Sequence, residues 1–112
     1  MYEEMFIDSA KKIIDKAKSL NTKLILPTDV RVSSDITQEL NSRIVKLNHI
    51  SVDDVILDFG PETMRIISKE VNEADTILWN GPLGVFEKDA FSYGTRSLAL
   101  LIRDAPGYTI AG

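Results

Sequence analysis

The apolar residues of the first segment recur at the spacing of a helix. Between residues 2 and 20 they fall three or four positions apart, and lysine and aspartate side chains occupy the opposite face. The apolar positions are Phe6, Ala10, Ile13, Ile14 and Ala17. This pattern predicts an amphipathic helix packed on one face of a sheet, with Asn21 as its C-terminal cap.

Short apolar runs in the rest of the chain predict buried strands. These runs are residues 23–27, 55–58, 76–79 and 108–111, and the first of them ends at Pro27. Residues 28–48 alternate only weakly and carry serine, aspartate and asparagine, which are typical of turns. That segment therefore predicts weak edge strands and loop.

Two more helices are predicted between the strands. Pro61 suits the first position of a helix, because its missing N–H needs no partner there. The helix that it begins turns one apolar face inward, made of Met64, Ile67, Val71 and Ala74. The helix over residues 89–103 does the same with Leu98, Leu101 and Ile102. Gly94, in the middle of that predicted helix, indicates a bend or a close backbone contact.

Strands that alternate with helices predict an α/β fold, a three-layer Rossmann-like parallel sheet with right-handed crossovers. The last strand stops at Gly112 with no helix to cover it, so we expect a partial, truncated domain over residues 1–112. Ligands of such sheets bind at the carboxyl ends of the strands. We expect the loops that follow Leu57 and Leu78 to open side by side onto one cleft there.

Composition removes several classes of function. The 112 residues carry 13 basic and 17 acidic side chains, a net charge of −4, and the basic residues are scattered, so nucleic acid is not an expected partner. Cysteine is absent, which suits a reducing compartment. No apolar run approaches the roughly 20 residues of a membrane span, and the acidic N-terminus is unlike a signal peptide. We expect a cytoplasmic protein that does not contact membranes.

The segment from Trp79 to Glu87 holds the strongest candidate chemistry. Gly81 and Gly84 either let the backbone approach a phosphate or ribose, or serve a tight turn that needs unusual dihedral angles. Neither Walker A nor GxGxxG is present. Glu87 could accept hydrogen bonds from a ribose diol, or it could begin the next helix, where its charge suits the dipole. Asn80 could donate to a phosphate oxygen or brace the turn.

Other candidates favour structural roles. Asp58, at a strand end, could be a catalytic or metal carboxylate, but we favour its accepting backbone N–H groups from a neighbouring loop. Adjacent Asp53 and Asp54 project in different directions, which favours a capping role over a metal site. His49, the only histidine, is expected at the surface. Trp79 continues a strand, so we favour a core position over a base-stacking platform.

Read together, four segments closely resemble the C-terminal, nucleotide-binding domain of phosphoglycerate kinases. Residues 24–30, Leu-Ile-Leu-Pro-Thr-Asp-Val, resemble a strand ending in Pro-x-Asp, and residues 58–63 resemble the family's Asp-x-Gly-Pro turn. Residues 79–87 match its Trp-Asn-Gly-Pro-x-Gly-x-[Phe/Trp]-Glu motif, and residues 108–112 resemble the strand before a Gly-Gly-Asp loop. Three further family positions follow the third motif, at Phe91, Gly94 and Thr95.

The resemblance implies a glycolytic phosphotransferase that moves the acyl phosphate of 1,3-bisphosphoglycerate to ADP, with Mg²⁺. It also implies roles for single residues. Glu87 would bind the ribose hydroxyls, and Asn80, beside Gly81, would face the nucleotide phosphates. Pro82 and Val85 would line the base or ribose pocket. The backbone near Ile56 would flank the adenine, although the family often has glycine at that position.

The resemblance also implies that these residues do not complete an active enzyme. In the family, phosphoglycerate binds to an N-terminal domain, and the Gly-Gly-Asp aspartate engages the metal-nucleotide. Neither is present in this sequence, so we expect no kinase activity, weak ADP binding and self-association through unpaired edges. Two alternatives remain open from the residues: a non-catalytic α/β module that binds a nucleotide or protein, and another Rossmann-like phosphotransferase with Glu87 as its base.

Overall fold

The computed structural model describes residues 3–112, and these form three helices and five strands. The strands are β1 (Asp29–Ser33), β2 (Arg43–Lys46), β3 (Val55–Phe59), β4 (Thr76–Trp79) and β5 (Tyr108–Ala111). The helices are α1 (Ile7–Ser19), α2 (Pro61–Glu73) and α3 (Tyr93–Asp104). Short 3₁₀ turns occupy Glu4–Phe6, Glu39–Asn41, Leu47–His49 and Asp89–Phe91.

The strands form two separate sheets. One is antiparallel with the order β2-β1-β3, and the other is the parallel pair β4-β5. The prediction of a partial α/β domain is confirmed, but the prediction that its strands form one parallel sheet holds for β4 and β5 only. Parallel neighbours need a crossover of about a dozen or more residues, usually a helix. The connections from β1 to β2 and from β2 to β3 contain only 3₁₀ turns, and these strands pair antiparallel.

The strand predicted over residues 23–27 belongs to neither sheet. The chain joins the antiparallel sheet two residues later, at Asp29, within the segment predicted to hold weak edge strands and loop. Val30 and Val32, the alternating apolar residues of β1, are fully buried. The weak alternation of this segment therefore comes from a well-packed strand.

Helix α1 forms as predicted but does not pack as predicted. Its predicted start at Tyr2 lies outside the described residues. None of its residues is buried, and Ile13 is 62% exposed, so the expected packing on a sheet is wrong. A Schellman cap ends the helix, with Asn21 in the left-handed region at φ +57°. The Asn21 amide donates to the Lys18 carbonyl oxygen, and the Thr22 amide donates to the Ala17 carbonyl oxygen.

Helices α2 and α3 pack on each other and form the main core. Buried Met64 and Val71 of α2 meet buried Leu98 of α3. Partly buried side chains surround these three, namely Phe59, Ile67, Ile77, Trp79, Leu83, Leu101, Ile102 and Ala105. The inward faces predicted for both helices are therefore confirmed except at Ala74, which caps the end of α2 and is not part of this core. The core also ties β4 to the helices on one side of the parallel pair.

No helix among residues 3–112 combines the length and the apolar character that crossing a membrane requires.

Candidate functional site

The carboxyl edge of the parallel pair is concave. Trp79 of β4 lies opposite Ala111 of β5, and the amide of Gly112 donates to the Trp79 carbonyl oxygen at 2.9 Å. Beyond these strand ends lies a cavity of about 220 Å³. Its walls are Trp79, Gly81, Pro82, Phe86, Thr95, Ala111 and Gly112. This is where parallel α/β sheets bind ligands.

A loop of residues 80–88 lies beside this cavity and is held from two sides; we call it the β4 loop. The Val85 amide donates to the Leu57 carbonyl oxygen of β3 at 2.9 Å. On the helix side, the Leu83 amide donates to the Thr95 hydroxyl oxygen at 2.9 Å, and that hydroxyl donates back to the Leu83 carbonyl. The β4 loop therefore lies beside β3, as expected, but none of the cavity's lining residues comes from the segment after Leu57, so the cleft shared by both loops stays a prediction.

A bulge in β3 explains why Leu57 can accept this bond. The register between β1 and β3 passes from Arg31 opposite Asp58 to Val32 opposite Ile56. Leu57 is therefore left without a partner on β1, as expected for the extra residue of a bulge. Its carbonyl oxygen is used instead by the β4 loop, so the irregular strand positions the candidate site.

The two glycines of the β4 loop have different surroundings. At Gly84, which has φ +62°, an added Cβ would lie 2.5 Å from the Leu57 carbonyl oxygen and 2.7 Å from Asp58 Oδ1. Gly84 therefore serves a tight turn packed against β3, and its backbone is not the one that a phosphate or ribose would approach. At Gly81 an added Cβ would meet no atom within 4 Å. The backbone at Gly81 is open to an approaching ligand.

Most of the remaining predicted site residues lie outside the cavity lining. Pro82 lines it, whereas Asn80 is exposed where β4 ends. Val85 is half-buried and engages β3 through its amide. Ile56 lies on β3 and is 52% exposed, outside the cavity lining. Glu87 is exposed and lies before the 3₁₀ turn Asp89–Phe91, so it does not begin a helix as its alternative role required.

Residue-by-residue reasoning did not assign Phe86 and Thr95 to the site. Phe86 lines the cavity and is 45% exposed, and Thr95 pins the β4 loop to α3. Both positions belong to the family resemblance, Phe86 within the Trp79–Glu87 motif and Thr95 after it, but the resemblance gave neither of them a role. Trp79 contributes to both the core and the cavity wall, and its indole N–H donates to the Gly81 carbonyl oxygen.

Asp58 lies behind the β4 loop and is 1% exposed. Its Oδ1 accepts the Phe59 amide at 2.8 Å, and its Oδ2 accepts the Gly94 amide at 2.9 Å. Burial raises the pKa of Asp58 above its ordinary 3.8, and the two amides and the nearby Arg31 offset this only in part. Its favoured role, accepting backbone N–H groups, is confirmed. Gly94 makes the expected close contact, but as the second residue of α3 and not in mid-helix.

The other acidic candidates and the histidine are structural or exposed. Buried Asp54 accepts the Ser51 amide at 2.8 Å and the Arg43 guanidinium at 2.7 Å, and these donors lower its pKa, the amide most. Asp53 and His49 are exposed. Within residues 3–112, no three His, Cys, Asp or Glu side chains are arranged to hold a metal ion. Asp54 therefore braces the fold.

A larger groove of about 440 Å³ lies between α2 and α3. Its walls include the charged side chains of Arg65 and Asp104 and the half-exposed Tyr93. This groove is larger than the cavity beside the β4 loop, but all of its lining residues belong to the two helices. The smaller cavity beside the β4 loop is the better candidate site, because it lies at the carboxyl ends of β4 and β5, where parallel α/β sheets bind ligands.

The fold and the cavity thus define a partial α/β domain with a candidate ligand site at the carboxyl edge of two parallel strands. A family model described as "Phosphoglycerate kinase" matches residues 1–112. A phosphoglycerate kinase of Francisella tularensis subsp. holarctica is 40% identical over 112 residues, 100% of this chain and 29% of that protein. The phosphoglycerate kinase of Legionella pneumophila is 41% identical over 100% of this chain and 28% of its own length.

Solved structures agree with the sequence comparisons. A phosphoglycerate kinase from Coxiella burnetii superposes with a TM-score of 0.94 at 37% identity, covering 98% of this chain and 29% of that one. One from Pyrococcus horikoshii OT3 gives 0.79 at 25% identity, over 96% and 26%. The chain belongs to the phosphoglycerate kinase family. It spans less than a third of the length of these relatives.

Proposed function

We propose that this chain is part of the C-terminal, nucleotide-binding domain of a cytoplasmic phosphoglycerate kinase and forms part of its ADP/ATP site. The whole enzyme would transfer the acyl phosphate of 1,3-bisphosphoglycerate to ADP, giving 3-phosphoglycerate and ATP. The observation that carries the proposal is the Val85–Leu57 bond of 2.9 Å, which holds the Trp79–Glu87 motif against β3, next to the start of the motif at residues 58–63. Phosphoglycerate would bind only to parts of the enzyme outside these residues.

The exposed groups around the cavity suit a nucleotide. The Glu87 carboxylate can accept two hydrogen bonds from a ribose diol, and the Asn80 amide can donate to a phosphate oxygen. The open backbone at Gly81 lets phosphate oxygens approach without meeting a side chain. Pro82 and Val85 would contact the base or ribose, and the backbone near Ile56 the adenine.

The same cavity lacks what phosphoryl transfer requires. Stabilising the transferring phosphoryl group needs cations or preorganised donors aimed at its oxygens. None of the cavity's lining residues is lysine or arginine, and nearby Lys88 is paired with Glu39 at 2.9 Å. The described residues also form no metal-ligand cluster, so Mg²⁺ does not fit them as a protein-held ion and would enter with the nucleotide phosphates.

Nucleotide binding is tested by following backbone amide resonances during an ADP titration. We expect a Kd in the millimolar range and shifts concentrated at residues 80–87. Glu87→Gln should weaken binding about tenfold, because the loss of a charged hydrogen-bond acceptor costs about 1.5 kcal/mol. Glu73→Gln, at an exposed glutamate at the end of α2, is the matched control and should leave the affinity unchanged. Shifts confined to the α2–α3 groove would contradict the proposed site.

Catalysis is tested with a coupled assay for ATP formation from 1,3-bisphosphoglycerate and ADP. The 112-residue chain should give the rate of a buffer blank, because the cavity supplies no cation to the transferring group. ATP formation above the blank would show that these residues suffice for catalysis and would overturn this part of the proposal.

A further inference from the structure

Asp58 lies where the β4 loop, β3 and the start of α3 meet. The carboxylate is 1% exposed, and amides of Phe59 and Gly94 hold both of its oxygens at 2.8 and 2.9 Å. A carboxylate fixed in this way has one available orientation. It can therefore act as a rigid surface for the backbone packed against it.

Two glycines lie against the same oxygen of this carboxylate. An added Cβ would fall 2.7 Å from Asp58 Oδ1 at Gly84 and 2.4 Å from it at Gly94. Both distances are far below an ordinary van der Waals contact. The segment from Gly84 to Gly94 thus begins and ends against Asp58 Oδ1; we call it the Asp58 segment.

The Asp58 segment carries the residue that we assign to the ribose. Glu87 is exposed, and no side chain within residues 3–112 forms an ion pair or hydrogen bond with its carboxylate. Its position is therefore set by the backbone of the segment and not by a neighbour. Near its start, Val85 is tied to the Leu57 carbonyl, the residue adjacent to Asp58.

We propose that Asp58 is the positioning residue of the nucleotide site: its carboxylate fixes both ends of the Asp58 segment and thereby presents Glu87 to the ligand. This inference rests on the proposed function for its ligand, but the placement of the segment can be measured without a nucleotide. Gly84 and Gly94 are then needed because a side chain at either position would collide with the Asp58 carboxylate. Of the two β4 loop glycines, only Gly81 leaves room for the ligand.

Asp29 provides a matched control of the same chemistry. It is 5% exposed, and it accepts the Thr63 amide at 2.7 Å and the Glu62 amide at 3.0 Å at the start of α2. The hydrogen bonds that its carboxylate accepts from other residues all come from residues 62 and 63, which lie outside the Asp58 segment. Replacing Asp29 therefore removes a buried capping carboxylate without touching the proposed site.

The first arm of the test uses the uniformly ¹⁵N-labelled full chain without nucleotide. Asp58→Asn keeps the shape of the side chain but points an N–H₂ group at a backbone donor. We expect it to shift the amides of the whole Asp58 segment, including Glu87. Asp29→Asn should shift residues 60–63 and leave the segment unchanged. Shifts in Asp58→Asn limited to Phe59 and Gly94 would overturn the proposal and leave Asp58 as a local cap of α3.

The second arm measures ADP affinity for the same proteins. We expect Asp58→Asn to raise the Kd about tenfold and Asp29→Asn to change it less than twofold. Equal losses in the two variants would also overturn the proposal, since they would report stability alone. If the unmodified chain binds no ADP at the β4 loop, the proposed function fails, while the first arm still decides whether Asp58 positions the segment.

A second variant covers the case in which Asp58→Asn does not fold. Asp58→Ser removes the crowding and keeps one oxygen acceptor, and it should show the same pattern of shifts. If circular dichroism shows both Asp58 variants unfolded while Asp29→Asn is folded, Asp58 is a stability residue, and the positioning role is refuted.

Discussion

At the scale of single residues, two buried aspartates show how burial and hydrogen-bond donors compete to set the pKa of a carboxyl group. Burial works to raise the pKa of Asp29, but the Thr63 hydroxyl and the amides of Thr63 and Glu62 together hold it below its ordinary 3.8. Asp58 is more deeply buried and has fewer donors, and its pKa is raised. The number of N–H and O–H groups aimed at each carboxylate decides the direction.

The lowered pKa of Asp29 predicts a pH-dependent contribution to stability. Because the folded pKa lies below the unfolded one, the contribution is complete above about 3.8 and is lost as pH falls through the folded pKa. Asp29→Asn should lower the free energy of unfolding by about 1–2 kcal/mol at pH 7. In urea titrations at several pH values, that difference should shrink below pH 3.8. Exposed Asp53→Asn is the control, and a pH-independent difference for Asp29→Asn would contradict the assignment.

At the scale of elements, the three helices are stabilised in different ways. α2 and α3 bury their apolar faces against each other, while α1 buries none of its residues and relies on its Schellman cap. Tertiary burial usually supplies most of the stability of a helix in a folded protein. We therefore expect α1 to open more readily than α2 and α3.

Two leucines on α3 separate burial from helix propensity. Leu98 is 9% exposed and belongs to the core. Leu100, two residues later on the same helix, is 52% exposed. Leu98→Ala should lower the free energy of unfolding by about 2–4 kcal/mol, and Leu100→Ala should change it by less than about 0.5 kcal/mol. Denaturant unfolding measures both. Similar losses in the two variants would show that the core is not where the structure places it.

At the scale of the whole molecule, one face of the parallel pair is apolar and uncovered. Leu78 lies directly opposite Ile110 in the register, and Tyr108 lies two residues before Ile110 on the same face. Their exposures are 70%, 46% and 70%. On the other face, Ile77 and Trp79 pack against the core. An exposed apolar patch on paired strands is the feature expected of a protein contact surface.

We expect the predicted self-association to use this apolar face of β4 and β5. Sedimentation velocity should show mass rising with protein concentration, and Leu78→Lys should reduce that association by placing a charge on the patch. Leu40→Lys is the matched control, because Leu40 is fully exposed on the 3₁₀ turn Glu39–Asn41, away from β4 and β5. A single species at all concentrations would contradict the expectation of self-association.

The sequence by itself determined the elements with strong local periodicity. The inward faces of α2 and α3, the start of α2 at Pro61 and the strands β3 to β5 were predicted, because each depends on spacing within about a dozen residues. The Trp79–Glu87 motif also located the loop at the cavity and indicated the family.

Only the tertiary structure decided how distant segments meet. β1 pairs antiparallel with β3, and the bulge at Leu57 frees a carbonyl for Val85. Gly84 and Gly94 both pack against Asp58. The apolar face of α1 is left uncovered. These outcomes depend on side chains and strands that are far apart in sequence, and local periodicity carries no information on which partner a strand end or a buried carboxylate will find.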